Sequence, residues 1–161
     1  MSVKILEIKK ENSPAARFIG KKYNTAPNWG EWWQNDWFSI LEKNKRLPIN
    51  DDAYIGAVHI AAGAPEHWIG MFFPINTTVP DGFEYIDIAP TEYAVCYLYD
   101  KENSPDFYTM DTHNMCLEEL KKLGLKHRED DWCFERYHCP RFTAADENGN
   151  VILDYAISIE V

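Results

Sequence analysis

Nowhere in these 161 residues do apolar side chains run long enough to cross a bilayer, and the opening MSVKILEIKKENSP lacks the apolar centre of a secretion signal. Basic clusters are missing too. No Lys/Arg grouping exceeds a KK pair, and 26 acidic residues outnumber 16 basic ones for a formal charge of −10. A surface of that sign repels phosphate backbones and keeps a chain in solution, which argues against nucleic acid as a partner. The four cysteines, Cys96, Cys116, Cys133 and Cys139, form no C-x-x-C pair, and free thiols in a reducing cytoplasm are expected. The histidines show neither H-x-x-x-H nor H-E-x-x-H spacing, and no glycine-rich loop precedes a helix. Metal, cofactor and phosphate-loop chemistry are therefore not expected. The expected protein is cytoplasmic, without a membrane partner, and a monomer or weak homodimer.

What the chain does have is aromatic side chains, at 14% of residues including six tryptophans. Its elements come in two similar passes. Residues 3–23 read as strand, turn at Asn12-Ser13-Pro14, strand; residues 28–44 read as a helix with Asn28 as N-cap. Trp29, Trp33, Trp37, Ile40 and Leu41 recur along that helix at three- and four-residue spacing. Residues 52–63 and 66–74 read as two more strands. The second pass has strand, turn at Pro90 and strand over 83–100, then a helix over 109–124 ending at Gly124. Strands at 132–139 and 150–160 complete it. Two β-β-α-β-β passes displaced by about eighty residues predict an α+β fold: one eight-stranded antiparallel sheet, two helices on one face, and a ligand groove between them. No linker divides residues 1–161, so a single domain is expected, with halves at about 1–80 and 81–161.

One strand poses a chemical question. In DDWCFERYHCPRF, Glu135 stands in the middle of an aromatic strand, sharing a face with Cys133 and Tyr137 while Trp132, Phe134 and Arg136 take the other. The periodicity leaves open whether that glutamate faces solvent beside Arg136 or Arg141, or faces the groove.

WCFERYHCPRF followed by GNVILDYAISIE, with EHWIGMFFP and VPDGFEYIDIAPTEYAV, resembles the GyrI-like small-molecule-binding family over nearly the whole chain. The resemblance implies an aromatic pocket between two helices, with a glutamate at the position of Glu135 as its floor. A carboxylate among rings is poorly solvated, so it favours a cationic guest or holds a proton, and flat cations gain from ring faces. The candidate walls are Trp33, Trp37, Trp68, Tyr137 and Tyr155. The resemblance further implies a small aromatic or cationic organic ligand and two functions. One is hydrolysis of cyclopropane-bearing genotoxins of the duocarmycin type, with Glu135 as base and Tyr137, Tyr155 or Trp37 as hydrogen-bond donor. The other is sequestration of cationic drugs without turnover. Hydrolysis is the favoured expectation, because the sequence shows no winged or helix-turn-helix segment ahead of the first strand.

Overall fold

The computed structural model describes residues 2–48, 52–59, 65–129 and 132–160. Of the strand expected at 52–63, residues 60–63 lie outside the described set.

The eight strands are β1 (Lys4–Ser13), β2 (Ala16–Tyr23), β3 (Tyr54–His59), β4 (Glu66–Pro74), β5 (Glu84–Ile88), β6 (Thr91–Lys101), β7 (Trp132–Tyr137) and β8 (Asn150–Ser158). They form one antiparallel sheet in the order β1-β6-β8-β7-β3-β4-β2-β5. That order reads as a palindrome of the two passes, and the middle pair is β3 with β7. There Gly56 of the first pass stands directly opposite Glu135 of the second.

Of the strand pairs expected within the two passes, β3 with β4 and β7 with β8 form, but the first two strands of each pass do not pair with each other. β1 and β2 follow one another in the chain but do not pair; β1 pairs with β6 and β2 with β5. Two strand–bend–strand ribbons lie antiparallel along their whole length, with Ser13 opposite Thr91 and Ala16 opposite Ile88. A Ser-Pro or Ala-Pro bend between β-rich runs looks alike whether the chain folds back or merely turns a corner, so the sequence could not separate the two.

The helix expected at 28–44 is two short ones, α1 (Trp29–Gln34) and α2 (Trp37–Leu41). The break is at Asp36, whose φ of 54° is left-handed and cannot continue an α-helix. It resets the helical phase, so the buried side is Trp32, Phe38 and Leu41 rather than Trp33 and Trp37. The second helix, α3 (Met110–Lys122), follows a 3-10 turn at Pro105–Tyr108, and Gly124 at φ 73° ends it. Its buried residues are Thr112, Cys116 and Leu120. All helices pack on the same sheet face: α1 and α2 over Ile19, Ile69, Met71 and Phe73, α3 over Cys96, Leu98, Leu153 and Tyr155.

The opposite face is not bare. Phe134 of β7 meets Phe18 of β2 at 6.2 Å and Tyr93 of β6 at 5.8 Å, although other strands separate them in the sheet order. Such contacts require the sheet to curl around that face, enclosing a second core of Phe18, Phe72, Tyr93 and Phe134. No helix of the described residues is long and apolar enough to cross a membrane, and all four cysteines are thiols rather than disulfides.

Candidate functional site

Where the two passes meet, the helix face opens into a cavity of about 1160 Å³. β7, β3 and β8 form its floor, α1 one wall, and the 3-10 turn with the start of α3 the other. Asn28 holds α1 in place by accepting from the Glu31 amide at 3.3 Å. Tyr23 donates to Glu31 at 2.6 Å and accepts from the Trp32 indole at 3.1 Å, which ties α1 to the end of β2.

Glu135 lies at the floor, half-buried, with its carboxylate turned into the cavity. Gly56 makes the space for it: a Cβ at that position would come within 2.7 Å of Glu135 Oε1 and 3.3 Å of the Trp29 ring. The Tyr137 hydroxyl donates to Glu135 Oε1 at 3.0 Å. Tyr137 is itself held edge-on between Trp29, at 5.0 Å, and Phe142, at 4.7 Å, and hydrogen-bonds Tyr108 from the opposite wall. Burial pushes the Glu135 carboxyl up to about 7; the Tyr137 hydrogen bond works against this, and no cation among the described residues contributes. The group is thus poised between its two protonation states at neutral pH.

Beside it stands a neutral pair. Tyr155, directly opposite Glu135 across β7 and β8, shares a 2.6 Å hydrogen bond with His113 Nδ1 from α3. Burial, with a smaller contribution from His127, lowers the His113 pKa and so favours the neutral ring. Burial and the neighbouring Cys133 thiol hold the Tyr155 hydroxyl well above its usual range.

Of the residues expected from sequence, Glu135, Tyr137, Tyr155 and Trp33 come together on the cavity. Trp33 is 59% exposed at the mouth, where its ring lies 5.5 Å from Tyr54. Trp37 lies outside the lining, turned away by the reset phase after Asp36; it packs edge-on against Trp32 at 5.5 Å, under the Lys21 ammonium at 4.1 Å. Trp68 borders the cavity, but its register sets it on the other face with Ala57 and Phe134. There it packs near Phe18 and donates its indole N–H to Glu66 at 2.7 Å. Sequence reasoning missed Trp29, Tyr108 and His113 as lining residues. The four-residue step from Trp33 back to Trp29 was a usable signal; His113 carried none, because its partner Tyr155 is 42 residues away.

Among the described residues no group of three or more His, Cys, Asp or Glu is placed to hold a metal ion.

No protein-family model matches the chain, and no curated protein matches its sequence. Solved structures do match its fold. SAV2435 bound to tetraphenylphosphonium superposes with a TM-score of 0.70 at 12% identity, over 96% of this chain and 94% of that one. A putative transcription regulation protein from Staphylococcus aureus MU50 gives 0.65 at 11% identity, over 96% and 99%. The C-terminal domain of EcmrR gives 0.62 at 7% identity, over 96% and 97%. The fold of this chain is the fold of these proteins. That likeness agrees with the GyrI-like architecture read from the sequence.

Proposed function

We propose that this protein binds small aromatic organic cations in the cavity, with Glu135 as counter-charge and Trp29, Trp33 and Tyr137 as ring partners. The observation that carries the reading is a carboxylate enclosed by aromatic rings with no cation beside it among the described residues. Such a group is poorly solvated, and a flat cation relieves it while gaining from the ring faces. The matched fold of SAV2435, solved with tetraphenylphosphonium, supports a ligand of this class. A chain of charge −10 is not expected to bind DNA by itself. Tryptophan fluorescence tests the proposal: tetraphenylphosphonium should quench saturably with one site per chain, and uncharged triphenylphosphine oxide should bind far more weakly. Equal binding of the two, or no saturable change, overturns it.

Hydrolysis of a cyclopropane-bearing dienone is a second reading, favoured by the Glu135 carboxyl near 7 and by the neutral His113–Tyr155 pair. Water would attack the ring carbon while Glu135 takes its proton. The strained C–C bond would break, sending its electron pair through the dienone to the carbonyl oxygen, which becomes a phenolate. Tyr155 or Tyr137 would stabilise that oxygen by hydrogen bonding until it is protonated, so the products are an alcohol and a phenol. Mass spectrometry of a duocarmycin-type compound after long incubation decides it. Ring-opened alcohol beyond one per protein, lost in Glu135→Gln, supports turnover; intact compound sinks it.

A further inference from the structure

The cavity has a second polar end. Its 1160 Å³ exceeds the roughly 300–1,000 Å³ of ordinary ligand pockets, so one cation over Glu135 leaves room unused. Along β3 and β7, Tyr54 faces Tyr137 in the same way that Gly56 faces Glu135. The Tyr54 end therefore lies two residues, about 7 Å, further along the sheet. Arg46, in the chain after α2, lines the cavity there, close enough for its charge to act on the Tyr54 hydroxyl. Its Nη1 is buried and has no hydrogen-bond partner. A guanidinium N–H without an acceptor is a costly arrangement.

Two carboxylates border this end, and each already has another partner. Glu42 accepts from the Tyr54 hydroxyl, and Asp52 Oδ1 lies 2.5 Å from His138 Nδ1. Among the described residues neither pairs with Arg46. In a chain of charge −10, an arginine that lines this cavity yet takes no carboxylate partner among the described residues is available to an acceptor from outside.

We propose that Arg46 is a second anchor of this pocket and holds an anionic group of the ligand. The preferred ligand class is then an amphoteric aromatic molecule, with a cationic centre over Glu135 and a carboxylate or comparable anion at Arg46. This rests on the cation-binding reading above. Charge-assisted bonds from a guanidinium to a carboxylate are among the stronger polar contacts, which makes the second group a source of specificity.

A matched pair of dyes tests it: the ethyl ester of a rhodamine, a plain cation, and the same dye as its free acid, which adds a carboxylate. Fluorescence titration is run on the wild-type chain, Arg46→Gln and Arg46→Lys, with thermal melts confirming that each variant is folded. The free acid should bind Arg46→Gln about tenfold more weakly than wild type, the ester should bind both alike, and Arg46→Lys should recover part of the loss. An Arg46→Gln variant that binds the free acid as wild type does, or that loses both dyes equally, overturns the role of Arg46. If neither dye binds wild type, the cation-binding reading fails as well.

Discussion

Two neighbours on β7 carry opposite charges to opposite faces of the sheet and meet opposite fates. Arg136, 4% exposed, enters the curled side and is ion-paired there: it donates to Glu11 at 2.8 Å and approaches Asp154 at 3.4 Å. Arg141 joins from the following loop, with 2.8 and 2.5 Å contacts to the same Asp154, and His138 Nε2 lies 3.6 Å away. Glu135, one residue earlier, enters the helix side and finds a tyrosine and a ring of aromatics, with no cation among the described residues. One charge is neutralised within the fold and belongs to its architecture. In the proposed function the other is the counter-charge of a ligand. Side-chain alternation on a single strand is enough to place the two charges in these different surroundings.

The sharpest way to break this comparison is to remove the structural charge. Arg136→Met leaves Asp154, fully buried, short of a partner, and should destabilise the fold by about 3–5 kcal/mol. Urea unfolding would measure it, and a loss below 1 kcal/mol would mean that the network is not structural.

Glu135→Gln should act in the opposite direction, and only above a certain pH. A free glutamate titrates near 4.5 and this one near 7 in the fold, so the folded chain holds the proton more tightly. The stabilisation from that proton is complete below pH 4.5 and disappears as the pH rises through 7. Relative to the glutamine variant, which does not titrate, wild type should lose up to about 3 kcal/mol between pH 4 and pH 8. Thermal melts of the two proteins across that range should therefore diverge as the pH rises. Parallel curves would refute the raised pKa.

For ligands, the same substitution should weaken an aromatic cation by about ten- to a hundredfold, a loss of roughly 1.5–3 kcal/mol, and leave an uncharged isostere nearly unaffected. Calorimetry with both compounds would separate the charge contribution from pocket shape.

The smallest expected effect is that of Gly56→Ala. Its Cβ would press on Glu135 Oε1 and the Trp29 ring, for an overpacking penalty of about 1 kcal/mol. Cation affinity should fall several-fold while the fold survives. An unchanged affinity would mean that the carboxylate does not need the space opposite it.

Much of this was legible in the residues. The repeated element order was enough for the eight strands and for two helical regions on one side of the sheet. Two things were not. Pairing between distant strands is set by tertiary packing, so the exchange of β1 and β5 between the two halves left no local signature. Helix phase is equally fragile: a left-handed Asp36 moved Trp32 into the core and Trp37 away from the cavity. The candidate site was legible at Glu135, where a carboxylate in an aromatic strand is chemically conspicuous and the structure sets it on the cavity. Gly56 and His113 were invisible, because each acquires its meaning only from a residue brought to it by folding.

The central claim is that Glu135 is an unpaired carboxylate whose partner is the ligand. It is tested most directly by following the affinity for tetraphenylphosphonium from pH 5 to pH 9 in wild type and Glu135→Gln. A cation binds the ionised carboxylate best, so wild-type affinity should be level above pH 8 and fall below pH 7, approaching tenfold per pH unit, with proton release on binding. The glutamine variant should show weak binding with no such dependence. Wild-type affinity that stays flat across that range, or that matches the variant, would contradict the account.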